Sequence, residues 1–298
     1  RRINYRSIKQ STGIQNLDAG SYFDERVPVP GSQTQVAIAT ALDRETARID
    51  ALIEKKTRFI ELLKEKRQAL ITKAVTKGLA PMVPMKDSGV KWIGEVPAHW
   101  NVRKIAHLTP VKRGASPRPI DDPRYFDNDG EFGWVRIQDV TSCGGTLRST
   151  QQLLSALGSS KSVKMEPGKL FLSIAATVGV PCIAEIKCCI HDGFVYFPNL
   201  QLPPAWLYRI FESRECFVGL GKMGTQLNLN TETVGGISVP IPPPNEMDRI
   251  LESLSNSTTG IDKLMEKSMK SIDLLKERRS ALITAAVTGQ IDLREDAA

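Results

Sequence analysis

Histidine and cysteine, the residues that carry most metal and nucleophile chemistry, are scarce in this chain: 298 residues include 3 histidines and 5 cysteines. His99, His107 and His191 share no metal-ligand spacing with one another or with Cys143, Cys182, Cys188, Cys189 and Cys216, and no CxxC pair occurs. That excludes the usual zinc arrangements and leaves reduced, buried thiols of a cytosolic protein as the expectation. Long apolar runs are also missing, so no segment reaches the ~18 residues of a membrane span. The basic opening "RRINYRSIKQSTG" lacks the apolar centre of a signal peptide. A cytoplasmic location follows as an expectation. Walker, GxSxG, HExxH and NPPY- or DPPY-like patterns are absent, so a catalytic reading has no residues to rest on.

What the sequence does have is basic charge and an internal duplication. The formal net charge is +7 and the isoelectric point about 9.1, which suits a polyanionic partner. The stretch "LLKEKRQALITKAVT" from Leu62 returns at Leu274 as "LLKERRSALITAAVT", 212 residues later, with twelve of fifteen positions unchanged. At the same offset "VPVP" (Val27–Pro30) falls on "VPIP" (Val239–Pro242), and with one inserted residue "GIQNL" (Gly13–Leu17) falls on "GTQLNL" (Gly224–Leu229). Solenoids and propellers repeat every 20–50 residues, so this spacing describes a whole module: the end of a domain, a Pro-rich exit and a long helix. The second copy is complete, whereas only about 30 residues precede the first exit. The expectation is a chain lacking most of its first domain.

Both predicted helices, about 33–76 and 245–288, carry a heptad-like seam. In the first it runs through Leu42, Ile49, Ile53, Ile60, Leu63 and Leu70, with Thr46, Lys56, Arg67 and Ala74 interleaved. In the second it runs through Leu254, Ile261, Met265, Ile272, Leu275 and Leu282, with Thr258, Ser268, Arg279 and Ala286. Two ordinary amphipathic helices on a globular core would give a similar pattern. The matched Arg67 and Arg279 interrupt the seam and suit a partner subunit's surface. Two like modules pack most simply about a pseudo-two-fold axis, with the helices antiparallel. Each helix would be ~65 Å long, about two turns of B-DNA.

Residues 86–240 read as mixed α/β, with strands expected at Gly133–Val140, Lys169–Gly179, Pro181–Ile190 and Gly193–Pro198 and a helix at Pro204–Leu220. From Asn101 to Ile120 there is no acidic residue, while Arg103, Lys104, Lys112, Arg113 and Arg118 are basic. Such a stretch can meet phosphates, and it equally suits a solvated charged surface. Arg136 and Gln138, alternating on an expected strand, would face one side and suit guanine and adenine edges. "FVGLGKMG" (Phe217–Gly224) contains GxGxxG, but it follows an expected helix rather than a strand, so the phosphate-cradling context is wrong.

These linked segments resemble the specificity subunits of type I restriction–modification systems. "MKDSGVKWIGEVPAHWNVRKIAHL" (Met85–Leu108) resembles the start of a target-recognition domain in that family, "GTQLNLNTETVGGISVPIPPP" its exit and "LLKERRSALITAAVTGQIDL" the distal conserved helix. "TGIQNL", "RVPVP" and "LLKEKRQALITKAVTKGL" resemble the same elements of the first half. One departure is Glu246-Met247, where such subunits commonly carry an acidic residue followed by Gln. The resemblance implies an α+β fold: a mixed α/β target-recognition domain plus two long conserved helices forming an antiparallel coiled coil. It divides the chain into a remnant of a first recognition domain (1–30), a central conserved helix (31–79), a second recognition domain (80–241), a distal conserved helix (242–290) and a tail (291–298). It implies reading of half of a bipartite DNA site, with the helices setting the spacer and docking two modification (methyltransferase) subunits. No cofactor is expected on this chain; S-adenosylmethionine, ATP and magnesium belong to partner subunits, including restriction subunits in the full complex. The near-identical helices also suit a homodimer. A self-sufficient S-adenosylmethionine-dependent methyltransferase and a coiled-coil DNA-binding regulator are the alternatives.

Overall fold

A computed structural model describes residues 8–11, 14–24, 26–220 and 229–292. Its elements begin with β1 (Ile8–Ser11), β2 (Ile14–Leu17), α1 (Ala19–Phe23) and α2 (Ser32–Lys77). They continue as β3 (Met85–Asp87), β4 (Glu95–Pro97), β5 (Asn101–Lys104), β6 (Lys112–Arg113), β7 (Phe132–Val135), α3 (Ile137–Ser142), β8 (Thr146–Leu147) and β9 (Gln152–Leu154). Next are α4 (Ala156–Ser160), β10 (Val163–Met165), β11 (Leu170–Ser173), β12 (Pro181–Ala184), β13 (Cys188–Ile190) and β14 (Phe194–Tyr196). The last are α5 (Pro204–Glu212), α6 (Thr231–Gly236), β15 (Ser238–Ile241) and α7 (Pro244–Val287). Two compact units result, residues 1–64 with 261–298, and residues 65–260.

The long helices are bounded by local chemistry. Pro28 and Pro30 precede α2, and Pro242 and Pro243 lead into α7, whose first residue is Pro244, a position where the missing N–H is not needed. Gly78 ends α2 with φ +71°, its N–H donating to the Ala74 carbonyl at 3.1 Å. Gly289 ends α7 at the same φ; its N–H donates to Ala286 and that of Gln290 to Ala285, a Schellman pair.

In the first unit, β1 and β2 form an antiparallel hairpin with Ile8 opposite Leu17. The start of α2 lies against the end of α7: Ala41 and Ala286 are buried together among Ile38, Leu42 and Leu282, and Arg279 Nε donates to Asp50 at 2.9 Å. Numbers rise along one helix as they fall along the other, so the pair is antiparallel. All twenty positions of the two seams are buried or half-buried.

The second unit is layered. A five-stranded sheet, in order β6-β14-β11-β12-β8, carries apolar side chains on both faces. On β11, Leu170 and Leu172 point toward α5 and the helix ends, while Phe171 points the other way, as the two-residue strand period requires. The first core joins Trp206, Leu207, Ile210 and Phe211 of α5 to Ile71 and Val75 of α2 and to Met247, Ile250 and Leu254 of α7. The second lies between this sheet and a four-stranded one, β10-β13-β7-β9, and contains Val135, Met165, Cys188, Ile190 and Phe194. Beyond that sheet, Phe132, Trp134, Leu154 and Cys189 bury a small outer cluster with Phe126. β5 pairs with β15, so the chain's path into and out of the domain closes on one ladder.

Several sequence expectations need correction. The stretch 133–140 is a strand only to Val135; Asp139 accepts from the Arg136 backbone N–H at 2.8 Å and starts α3. The stretch 181–190 is two strands in different sheets, because Lys187 begins the crossing to β13. α5 stops at Glu212, and Arg214 turns to positive φ before a 3₁₀ turn at Glu215–Phe217. Arg67 and Arg279, matched to a partner subunit's surface by sequence, both bond within the chain: Arg67 Nη2 donates to Glu212 at 2.9 Å, and Arg279 to Asp50. Glu212 also accepts from Arg209 at 2.6 Å and from Tyr208 at 3.3 Å.

Trp206 is fully buried, stands edge-on to Trp100 at 6.1 Å and donates its indole N–H to Pro240 O at 2.9 Å. Trp206→Ala is expected to destabilise the unit by about 3–5 kcal/mol, read as a lower midpoint in urea unfolding.

Candidate nucleic-acid interface

The loop after β6 is held by close backbone contact. A Cβ at Gly114 would lie 2.2 Å from the His191 carbonyl oxygen, so only glycine lets the loop run against residues 191–193. Gly114 N–H donates to Phe194 O at 2.9 Å and Ala115 N–H to Ile190 O at 3.1 Å. This places Asp192 at a centre of donors. Its carboxylate accepts from Ser116 Oγ at 2.9 Å and Arg118 Nη2 at 3.1 Å, and its carbonyl accepts from Arg113 Nε. Burial alone would raise the Asp192 carboxyl. The Ser116 hydroxyl and the charges of Arg113, Arg118 and His191 outweigh that and hold it below the usual carboxylate range.

His191 packs between Trp134 at 5.9 Å and Phe194 at 4.6 Å. Burial pushes its pKa down; the Asp192 carboxylate opposes this, and the charges of Arg136 and Arg113 add to it. Arg136 therefore belongs electrostatically to the same group. Its alternation with Gln138 on one strand face does not hold: Arg136 precedes α3 and Gln138 lies within its first turn. Gln138 Nε2 instead donates to Gln151 Oε1 at 2.7 Å. Beside that pair opens a polar cleft of about 400 Å³ lined by Asp139, Cys143, Arg148, Ser149, Thr150 and Gln151, among others.

Arg113 and Arg118 are thus brought together on Asp192, while the charge of Arg136 acts on the neighbouring His191. Arg103 and Lys104 lie instead on the β5–β15 ladder, opposite Val239 and Ser238, and Lys112 lies opposite Tyr196 on the sheet edge. All six cationic side chains sit on exposed residues. Asp192, Ser116, Arg148 and Gln151 escape a sequence search for basic runs, since three are uncharged or acidic and the fourth stands alone. Lys164, with Nζ 4.7 Å from the Phe132 ring centre, and Lys187, ion-paired to Glu131 at 2.5 Å, add cations on the outer face of the four-stranded sheet.

Cys182, Cys188, Cys189 and Cys216 are buried, and Cys143 is half-buried at the cleft with its sulfur 3.5 Å from that of Cys182. The shared hydrogen bond draws the Cys143 thiol down to about 6 and holds the Cys182 proton. Among the described residues no group of three or more His, Cys, Asp or Glu is placed to hold a metal ion. No helix of the described residues is long and apolar enough to cross a membrane. Of the GxGxxG run, Gly219 follows a 3₁₀ turn rather than a strand, while Gly221 and Gly224 lie outside the described residues, as does most of "GTQLNL".

A family model described as the type I restriction modification DNA specificity domain matches residues 97–274, well over half of the chain. This chain belongs to the type I restriction–modification DNA specificity family. Two proteins of Methanocaldococcus jannaschii are similar along nearly all of it, each 24% identical: the type I restriction enzyme MjaVIII specificity subunit, over 97% of this chain and 67% of that protein, and the putative MjaX specificity subunit, over 99% and 64%. Among solved structures, a chain from work on complex assembly and conformational transition of the type I R-M system superposes with a TM-score of 0.74. That match is 18% identical and covers 94% of this chain and 65% of that one. The HsdS subunit from Thermoanaerobacter tengcongensis gives 0.54, at 17% identity over 95% and 65%. The specificity-family fold, a mixed α/β domain with two long antiparallel helices, is therefore shared, and this chain spans about two thirds of the length of these relatives.

His191 gives this site a pH signature. With its folded pKa below the unfolded value, stability contributed by the neutral ring is present above the unfolded value of about 6.5 and is lost as pH falls from there to the folded pKa. Asp192→Asn removes the one charge that favours the imidazolium and leaves Arg113 and Arg136 in place. Its His191 ring protons, followed by NMR, are expected to titrate at a still lower pH than in the parent chain.

Proposed function

We propose that this chain is a non-catalytic DNA-reading and scaffolding subunit of a type I restriction–modification complex, and that residues 80–241 read one half of a bipartite site. The observation that carries this reading is the holding of Arg113 and Arg118 against Asp192, with Arg136 exposed at the start of α3 and Gln138 bonded to Gln151, which lines a polar cleft. Guanidinium groups neutralise phosphates or grip guanine edges, and amides match adenine. Arg103, Lys104 and Lys112 extend the basic surface and serve as phosphate contacts.

The helices act as spacer and docking surface. At ~1.5 Å per residue, the 46 residues of α2 make a helix ~70 Å long. Their seams, from Leu42 to Leu70 and from Leu254 to Leu282, hold the pair together. Their outer faces keep twin apolar residues exposed, Leu52 with Leu264 and Leu62 with Leu274, which suits two equivalent modification subunits, one on each helix. Those subunits bring S-adenosylmethionine and adenine methylation; restriction subunits add ATP- and magnesium-dependent work. The complex acts in the cytoplasm. The near-identical helices also suit a homodimer.

Selection of the purified chain on a pool of randomised duplexes is expected to enrich one uninterrupted block of bases. Arg113→Ala and Arg118→Ala should each lower the slope of log K against log salt by about 1 without changing the bases chosen. Arg136→Ala or Gln138→Ala should cost about 1–3 kcal/mol at one base position. A pool that emerges without enrichment would overturn the reading. In the assembled complex, inserting one heptad at matched positions of both helices should move the methylated adenines apart by ~3 base pairs, from ~10.5 Å of added helix. Methylation mapping would show this as a longer spacer between unchanged half-sites.

A further inference from the structure

Cys143 and Cys182 are 39 residues apart in sequence, yet one strand pairing brings them together. β8 runs parallel to β12 with Thr146 opposite Ile183, and the Ile183 N–H donates to the Gly145 carbonyl at 3.0 Å. Cys143 stands just before that carbonyl and Cys182 just before that N–H, so both thiols lie at the same end of the pairing. The chain leaves Cys143 through a Gly-Gly turn, with φ of +64° at Gly144 and +95° at Gly145. A Cβ on Gly145 would collide with the Tyr208 hydroxyl of α5, so only glycine turns this close to the helix. The turn brings the N–H groups of Gly145 and Thr146 to the Cys143 sulfur.

The two thiols are not equivalent. Cys182 is fully buried, whereas Cys143 is half-buried and lines the polar cleft, open to small solutes. Their sulfurs are 3.5 Å apart, so closing to the ~2.05 Å of a disulfide takes a movement of ~1.5 Å. The hydrogen bond from Cys182, helped by the turn N–H groups, outweighs burial and draws the Cys143 thiol down to about 6. Cys143 is thus a thiolate at neutral pH beside a protonated neighbour. The other cysteines lack this setting. Cys188 and Cys189 point to opposite sides of β13, and burial pushes them up to about 12 and about 11. Cys216 lies in the core under α5, where burial raises it as well.

We propose that Cys143 and Cys182 are a peroxide-reactive pair, with a small hydroperoxide as substrate and a reversible Cys143–Cys182 disulfide as product. The Cys143 thiolate attacks the terminal peroxide oxygen. The O–O bond breaks, and the departing alkoxide or hydroxide takes a proton from solvent to leave as alcohol or water. Cys143 is left as a sulfenic acid. The Cys182 sulfur then attacks the Cys143 sulfur, the S–O bond breaks, and hydroxide leaves with the Cys182 proton as water. The two thiols together lose two electrons and the peroxide gains them. The linkage ties the end of α3, whose first turn carries Gln138, to β12. This chemistry needs the folded 65–260 unit alone and does not depend on the DNA-reading assignment.

In the test, the reduced full chain is treated with hydrogen peroxide, its remaining thiols are alkylated, and its peptides are mapped without reductant. Expected are a mass loss of two hydrogens, one linked pair joining Cys143 to Cys182, and reversal by dithiothreitol. Cys182→Ala should stop at the sulfenic acid, trapped on Cys143 by dimedone. Cys143→Ser, at the less buried position, should leave Cys182 reduced and slow peroxide consumption about tenfold. Alkylation of Cys143 by iodoacetamide should be half-maximal near pH 6, against ~8.5 for an unfolded thiol. A linkage through Cys188, Cys189 or Cys216 would overturn the proposal. So would Cys143 oxidised without joining Cys182, or peroxide consumption by Cys143→Ser at the parent rate.

Discussion

The recognition domain depends on the burial of two indoles where its chain path begins and ends. Trp100 lies between the glycine that ends α2 and the first turn of α7, and Trp206 from α5 closes over it and bonds the β15 backbone. One helix end, one helix start, the opening turn and the exit strand are thereby fastened at a single point. The Trp100 indole N–H is buried without a hydrogen-bond partner among the described residues, an omission worth ~1–3 kcal/mol against folding. Each large aromatic gains more than that by leaving water. The same point explains the departure at Met247. A polar amide there would enter a core with Ile250 and Trp206, and methionine fills it without an unpaired group.

The candidate interface is organised by an anion rather than by its cations. The guanidinium groups of Arg113 and Arg118 would repel and splay; Asp192, fixed by the Gly114 approach and the Ser116 hydroxyl, draws both inward. Those contacts are made mostly at exposed arginines, so each is weak in water. A duplex phosphate offers the same guanidinium groups an anion of higher charge density and bidentate geometry. In the proposed interface Asp192 is thus a placeholder that orders Arg113 and Arg118 in advance and gives them up to a phosphate at small cost.

Legibility in the sequence followed the range of the interactions concerned. The bounds of α2 and α7 were readable to within about a residue because proline and glycine act locally, through φ and the missing N–H. The antiparallel pairing was readable because a repeat constrains it. The strand expected over 133–140 failed at Arg136, where a capping carboxylate three residues on outweighs β propensity. The segment 181–190 failed because its alternation is that of buried strands on either side of a turn, and no local signal shows that they enter different sheets. Asp192 was invisible for a deeper reason: its partners lie more than 70 residues away, and a lone carboxylate carries no pattern. Arg67 was misread similarly, its partner being Glu212 on α5.

The duplication turns these comparisons into a control within one molecule. Val75 and Val287 are twin residues near the ends of twin helices, so helix propensity cannot account for their different exposure. Only tertiary cover differs, and in the 65–260 unit that cover is a tryptophan supplied from 22 residues past the helix-ending glycine. Val27 and Val29 of the first exit and Val287 at the end of α7 keep a hydrophobic character that solvent exposure does not reward. Of two twin valines near helix ends, one is buried and one bare, so burial there is set by what packs over the helix and not by the helix itself.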